Sequence, residues 1–366
     1  MGVYEELGLS PAINASGKMT ALGGSVLDDT VVAAMAEAAR SHVVMDDLMK
    51  VAGDVIAKAT GAEDGCPTTG AASGIAIAVA ALIAGADPDR IERLPDPGDR
   101  PDEVLLLKGH SVNFGAPVRQ MVALGGGRVV EVGSVNKVSA AHVEGAVTGR
   151  TAALLYIQSH HTVHKGTVRL ADMIAIGRRH GIPVIVDAAA EDDLRHWPAT
   201  GADLVVFSGG KAIGGPTSGF VCGSRALVEA CRAQYTGIAR PMKVGKETVL
   251  GLLQALRRYG VDEAGDGGRE RMTALAARLD ALPGLTAAVE RDEAGRSIYR
   301  AVLTVDPAAA GRDAQDIARE LAAGSPPVFL RDHQANTGRL SIDPRPITAD
   351  EEAELARRLT ALLGAA

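Results

Sequence analysis

Asp187 and Lys211 are the two side chains whose types and spacing point most directly to chemistry. Asp187 follows an apolar run, Ile182 to Val186, that reads as a buried strand. A second run, Ala202 to Phe207, leads through Ser208-Gly209-Gly210 into Lys211, and a third short run, Gly219 to Cys222, follows. An acid at the end of one strand and a lysine just past the next fall at the same edge of a parallel sheet, where α/β folds bind cofactors. That pair suits pyridoxal 5′-phosphate (PLP). The lysine forms a Schiff base with its aldehyde, and the carboxylate keeps the pyridine nitrogen protonated so that the ring can take up electrons. Singly, a strand-end aspartate is commonly a helix cap and a lysine in a glycine-rich loop is commonly solvated. The combination carries the reading, with Ser208 placed to hold the cofactor phosphate. Gly209, Gly210, Gly214 and Gly215 let the backbone approach a ligand closely.

Other segments read as company for that pair. Thr68 to Gly74 is a turn of small residues opening a buried helix, Ile75 to Ala84. Such a turn offers unpaired N–H groups and the positive end of the helix dipole, so Thr69, Gly70 and Ala71 are candidate phosphate donors. His110 follows the strand Glu103 to Leu107, at the same sheet edge as the lysine, where an imidazole can stack on the pyridine ring or relay protons. Gln158-Ser159-His160-His161 ends the strand Thr151 to Ile157. One of Ser159, His160 or His161 is expected at the cofactor's phenolic oxygen or the substrate, with Ser159 and His161 the leading candidates. Adjacent residues of an extended chain point to opposite sides, and no carboxylate or cysteine completes a set with His160, His161 and His164, so no metal is expected. Arg240, Lys243 and Lys246 lie on a connector and are candidate anion binders, for the substrate or across a dimer interface.

These residues need a frame. Apolar spacing predicts helices over 29–40, with Val32, Met35 and Ala39 inward, and over 45–59, with Leu48, Val51 and Val55 inward and Asp46 or Asp47 capping. Helices follow at 117–124, 139–147, 170–180, 225–235 and about 248–259, with a strand at 128–132. Residues 85–102, rich in proline and charge, read as a surface loop with one helical turn. Toward the C-terminus, helical runs at 266–282, 312–323 and 349–363 alternate with strands at 285–291, 298–304, 327–331 and 338–342. The division is therefore an N-terminal arm plus large PLP-binding domain, 1–245, and a small α+β domain, 246–366.

Composition bounds the partners. The chain has 366 residues, is 46% hydrophobic and carries a net charge of −7 with no lysine/arginine run. A polyanion binder would carry a basic patch, so nucleic acid is not expected as a partner. The three cysteines, Cys66, Cys222 and Cys231, have no metal spacing and read as reduced thiols. No signal peptide opens the chain, and Ile75 to Ala84 is too short to span a bilayer, so a cytoplasmic enzyme is expected.

The segments NASGKMTALGGS (14–25), TTGAASG (68–74), KGHSVNFGAP (108–117), QSHHTVHKG (158–166), VDAAAEDD (186–193), FSGGKAIGGPTSGF (207–220) and RPMKVGKE (240–247) resemble those of fold-type I PLP enzymes. More narrowly they resemble the branch containing selenocysteine synthase and D-glucosaminate-6-phosphate ammonia-lyase. The resemblance implies an aspartate aminotransferase-like α/β fold with a mostly parallel central sheet. It implies a homodimer or higher homo-oligomer with a shared site, and it puts Asn14, Ser16, Gly17 and Lys18 near the site mouth. Fold-type I enzymes often place a small-domain arginine on the substrate α-carboxylate. Arg345, in Asp343-Pro344-Arg345, fits that pattern, with Arg339 as the alternative.

The expected function is a PLP-dependent lyase. Freed Lys211 removes the α-proton of a small anionic hydroxy amino acid, the β-hydroxyl leaves, and hydrolysis gives a 2-oxo acid and ammonia. By resemblance the substrate is a 2-amino sugar acid, with D-glucosaminate 6-phosphate a candidate. The same deprotonation would serve a racemase, an aldolase or a selenium transferase. A non-catalytic PLP-binding regulator is disfavoured because no helix-turn-helix or basic segment accompanies the site.

Overall fold

The computed structural model describes residues 2–260, 268–292 and 296–364. The chain forms two compact units. One is Leu27–Val261; the other joins Met1–Val26 to Asp262–Ala366. Sequence reading divides the chain at 245/246 instead. The helix Lys246–Arg258 accounts for the difference. Its buried Val249, Leu252, Leu253, Ala255 and Leu256 share a core with Leu48 and Ile56 of the helix Met45–Thr60.

The larger unit is built on a seven-stranded sheet ordered Asp64–Thr68, Gly219–Gly223, Leu204–Ser208, Val184–Asp187, Thr151–Ile157, Glu103–Leu107, Arg128–Val132. The last five run parallel to one another, and Gly219–Gly223 is antiparallel to both its neighbours. Each apolar run divides its side chains between two cores by the period-two alternation of a strand. Leu105, Leu107, Leu154, Tyr156, Val184, Val186, Val205 and Phe207 face one core. Val104, Leu106, Leu155, Ile157, Ile185, Leu204 and Val206 face the other. The second core is closed by the helix Ala71–Ala84, apolar on all sides and buried over most of its length. The strand Asp64–Thr68 gives no apolar run in the sequence. It holds by pairing with Gly219–Gly223, and Pro67, which cannot donate to a ladder, is tolerated because this strand is the sheet edge.

The smaller unit carries a three-stranded antiparallel sheet, Arg339–Ile342, Tyr299–Val305 and Leu285–Arg291, with helices Arg269–Leu279, Ala314–Ala322 and Ala349–Leu363. The expected helix at 266–282 begins partly outside the described residues. The N-terminal arm supplies Ile13–Ala15, which pairs in parallel with Val328–Leu330, and Ile13 and Ala15 are buried in this unit's core.

Three local expectations are corrected. The helix Met45–Thr60 starts at Val44 with no side-chain cap, and Asp46 and Asp47 lie in its first turn, where they complement the dipole. It buries Leu48, Ala52, Gly53 and Ile56, leaving Val51 52% exposed. In Asp29–Ala39 the buried residue is Val31, and Val32 is exposed. All three cysteines are buried and free, and burial pushes the Cys66 and Cys222 thiols up to about 12.

Candidate active site

The carboxyl ends of the parallel strands bring the predicted residues to one edge of the larger unit. Ile157 pairs with Asp187, Asp187 with Val206, and Ser208 with Gly219, while Thr68 meets Gly219 from the other side. Asp187 is the last residue of its strand and 6% exposed. Its Oδ1 accepts the Ala189 N–H at 3.0 Å. Burial pushes its carboxyl above the usual range, opposed by the charge of Lys211 and by that hydrogen bond. The Lys211 charge is thus near enough to act on Asp187.

Lys211, half-buried, is held by a loop closed on itself. Gly209 N–H donates to Ser218 O at 2.8 Å, Gly215 N–H to Gly209 O at 2.7 Å, and Gly214 N–H to Lys211 O at 3.1 Å. A Cβ at Gly209 would stand 2.1 Å from Ser218 Oγ, so only glycine fits this fold-back.

The turn opposite is shaped by hydroxyls. Thr68 Oγ1–H and Ser73 Oγ–H both donate to Gly70 O at 2.8 Å, and Thr69 Oγ1–H donates to Ser73 Oγ at 3.0 Å. Gly74 N–H makes the first intrahelical bond, to Gly70 O at 3.0 Å, so the N–H groups of Ala71 and Ala72 precede the ladder and are available to an anion. A Cβ on Gly219 would stand 2.7 Å from Gly70 C and 2.9 Å from Ala71 N. Glycine there lets the helix start sit directly against the sheet, beside Ser208.

This edge fits PLP. It has a lysine for the aldehyde, a buried acid whose raised pKa calls for a further cation, and a helix start with open amides for the phosphate. Asp187 would hold the ring nitrogen, and Thr69, Gly70, Ala71 and Ser208 the phosphate.

His110 is completely buried. Its Nδ1 accepts Ile157 N–H at 3.2 Å, which puts the proton on Nε2, and Nε2 has no hydrogen-bond partner among the described residues. Burial, with His164 adding a smaller push, lowers its pKa to about 4, so the ring is neutral at pH 7. It packs edge-on to Tyr156, centroids 4.6 Å apart. His160 and His161 are more open, with their rings 3.9 Å apart. Ser159 Oγ accepts the His161 N–H at 3.2 Å, and Ser159 O accepts Thr162 Oγ1–H at 2.7 Å. Among the described residues no group of His, Cys, Asp and Glu could hold a metal.

The cations divide between the units. Arg240 and Lys243 are exposed on the connector of the larger unit, while Lys246 is ion-paired to Glu247. In the smaller unit, Arg339 Nη2 bonds Glu290 at 2.6 Å across the sheet. Arg345 grips Asp343 with Nε and Nη2, each at 2.8 Å. Lys18 follows the Asn14–Gly17 turn, in which Asn14 Nδ2–H donates to Gly17 O at 2.8 Å and Asn14 Oδ1 accepts Ser16 N–H at 3.0 Å.

Sequence reading missed the hydroxyls of Thr68 and Ser73 that shape the turn before the helix Ala71–Ala84, and the buried Asp292, Arg300 and Asp343. The signal for the last group was an arginine inside the apolar run Tyr299–Val305, which burial tolerates only with acids beside it.

Residues 12–282 match the family described as SelA: L-seryl-tRNA selenium transferase. A 5′-C-glycyluridine monooxygenase-decarboxylase of Streptomyces sp is 56% identical over 98% of this chain and 92% of its own. A D-glucosaminate-6-phosphate ammonia lyase of Salmonella typhimurium (strain 14028s / SGSC 2262) is 44% identical over 98% of this chain and 96% of its own. A solved structure of a D-glucosaminate-6-phosphate ammonia-lyase superposes with a TM-score of 0.93 at 43% identity, covering 99% of this chain and 98% of that one. A PLP-bearing structure of serine palmitoyltransferase shares the fold at a TM-score of 0.58 and 15% identity, covering 96% of this chain and 87% of that one. The chain belongs to the SelA family and is a PLP-dependent enzyme of fold type I.

Proposed function

We propose that this enzyme is an ammonia-lyase acting on a small anionic 2-amino-3-hydroxy acid, with D-glucosaminate 6-phosphate the leading candidate. Loss of the β-hydroxyl with the α-proton, then return of one water, converts the substrate to a 2-oxo acid and ammonia. The observation that carries the reading is the buried Asp187, its carboxyl held high, within reach of the Lys211 charge. PLP, when bound, supplies the aldehyde and the electron-withdrawing ring. Lys211 Nζ anchors it and, once released, takes the α-proton. Asp187 keeps the ring nitrogen's proton in place. Ser159 and His161 serve the phenolic oxygen, Arg345 the α-carboxylate, and Arg240 and Lys243 a distal phosphate. His110, neutral at pH 7, acts as a packed ring and Nε2–H donor.

Turnover on a panel of D- and L-hydroxy amino acids, including phosphorylated sugar acids, tests this. Ammonia and 2-oxo acid in equal amounts, without oxygen uptake, are expected. Racemised or aldol-cleaved products would reassign the reaction. The 56% identical relative, a monooxygenase-decarboxylase, supports a second reading. On that reading the panel would consume oxygen and release carbon dioxide in place of ammonia.

The active unit is proposed to be a cytoplasmic homo-oligomer. Val32, Val43, Val44, Met45 and Val51 stay exposed on and between two neighbouring helices of the larger unit. Exposed apolar side chains of this kind favour a partner, and a second copy supplies one. Light scattering should show at least a dimer, and a fully active monomer would contradict it. The net charge of −7 argues for a small-molecule substrate and against transfer RNA.

A further inference from the structure

Within the larger unit, the end of the strand Thr151–Ile157 is held from both sides. Gln158 N–H donates to Asp187 O at 2.8 Å, and Ile157 N–H donates to His110 Nδ1 at 3.2 Å. On the His110 side the regular ladder with Glu103–Leu107 has already run out, its last pair being Leu106 and Leu155. The chain turns at Lys108–His110, and the imidazole takes the N–H that the departing backbone no longer meets. The same turn holds the loop that follows. Val163 N–H donates to Gly109 O at 3.0 Å. A Cβ on Gly109 would stand 2.5 Å from Val135 O and 3.1 Å from Val163 Cβ, so this approach needs glycine. Between the two anchors lies Ser159. Its carbonyl accepts the Thr162 N–H at 3.2 Å and Thr162 Oγ1–H at 2.7 Å, and its Oγ accepts the His161 N–H at 3.2 Å.

The state of His110 matches this use. It is 0% exposed, so no face of its ring is open. Tyr156 packs edge-on against it. Nε2 has no hydrogen-bond partner among the described residues, which leaves the bond from Ile157 as the ring's polar contact there. A buried ring with one nitrogen unsatisfied packs less favourably than an apolar ring would, so the position gains from the other nitrogen.

We propose that His110 is a positioning residue. Through Ile157 N–H, and with Gly109 holding Val163, it sets the loop 158–162 so that Ser159 and His161 meet the cofactor's phenolic oxygen, and it does not itself touch the cofactor. This rests on the reading of Ser159 and His161 as the groups at that oxygen.

Three substitutions separate the ring from the acceptor. His110→Asn puts an amide oxygen where Nδ1 stands. His110→Gln puts it further out, nearer Nε2. His110→Phe keeps a packed ring and has no acceptor. The readout is the pH at which the absorbance of the PLP-loaded protein changes, which is independent of turnover. Donors to the phenolic oxygen favour its anionic form, so losing them raises that pH. His110→Phe and His110→Gln should raise it by about one unit, as should Ser159→Ala or His161→Ala, while His110→Asn stays near wild type. A shift in His110→Asn with none in His110→Phe would mean that the ring itself meets the cofactor, and would overturn the positioning role. Wild-type behaviour in all three His110 variants, with a shift in Ser159→Ala or His161→Ala, would overturn it alone. No shift in either Ser159→Ala or His161→Ala would overturn the reading of those two residues. Should His110→Asn fail to fold, NMR of the wild-type protein with isotope-labelled histidine decides. The His110 ring should carry its proton on Nε2 and its signals should move little on loading with PLP, while those of His161 move. A proton on Nδ1, or a large change at His110 on loading, would contradict the proposal.

Discussion

Asp187 and Asp343 are both buried, one at the edge of a parallel sheet and the other in the antiparallel unit, yet burial works out oppositely for them. At Asp187, burial outweighs the Lys211 charge and the Ala189 hydrogen bond, and the carboxyl stands above its usual range. At Asp343, burial pushes the same way, but the Arg345 hydrogen bonds and the charges of Arg345 and Arg300 overcome it, and the carboxyl stands below. The difference lies in how many donors each receives. Asp343 is satisfied by the protein itself and is built to hold something else still. Asp187 is left short of positive charge, as a carboxylate must be if it is to receive a protonated ring. A raised pKa beside a single lysine at a sheet edge marks a site, whereas a lowered one inside a guanidinium network marks a support.

Removing Lys211 should have the largest effect on this contrast. Lys211→Ala should abolish covalent attachment of PLP and lower turnover on the order of a thousandfold or more. In the apoprotein it should raise the Asp187 pKa further, since its opposing charge is gone. Carboxyl titration by NMR and the absorbance of the reconstituted protein read both.

Asp343→Asn should cost about 3 to 5 kcal/mol of stability at pH 7, because Arg300 is then buried without its full charge partner. Urea unfolding across pH checks the sign. A lowered folded pKa contributes stability that is present above the unfolded value of about 3.9 and is lost as pH falls through the folded one. The variant should lack that acid limb. Asp187 should behave oppositely: in the apoprotein its contribution falls as pH rises from about 4 through its raised pKa, and Asp187→Asn should remove that slope.

Asp187→Asn should keep PLP but lose on the order of a hundredfold in rate, about 3 kcal/mol of transition-state stabilisation. The amide cannot hold the ring nitrogen's proton as a carboxylate does. Near-normal turnover would reduce Asp187 to a cap for the turn at Ala189.

How much of this contrast was legible in the sequence depends on distance along the chain. The Asp187 and Lys211 edge could be read because each residue ends an apolar run, and strands with short connections bring such ends together. The alternation of Leu105, Leu106 and Leu107 between two cores was implied by the same runs. The strand Asp64–Thr68 was not legible, since its pairing with Gly219–Gly223 is set by a partner far along the chain. Nor was the Asp343 support, which needs Arg300 and Asp292 from separate segments. Helix faces were misread at Val32 and Val51 for a similar reason. Both are apolar at plausible spacing, and only the position of the partner helix decides which stripe is inside.

The smallest effect concerns the connector cations. Lys246 is engaged by Glu247, whereas Lys243 is exposed. Lys243→Ala should raise KM about threefold to tenfold for a phosphorylated substrate and little for its unphosphorylated analogue, and Lys246→Ala should do less. Equal changes for both substrates would mean that neither lysine meets a phosphate.

The central claim, that Lys211 carries the cofactor beside Asp187, is tested most directly by borohydride reduction of the PLP-loaded protein followed by peptide mapping. The pyridoxyl group should be found on Lys211. Its appearance on Lys165, Lys243 or Lys246, or a protein that cannot be loaded with PLP at all, would contradict it.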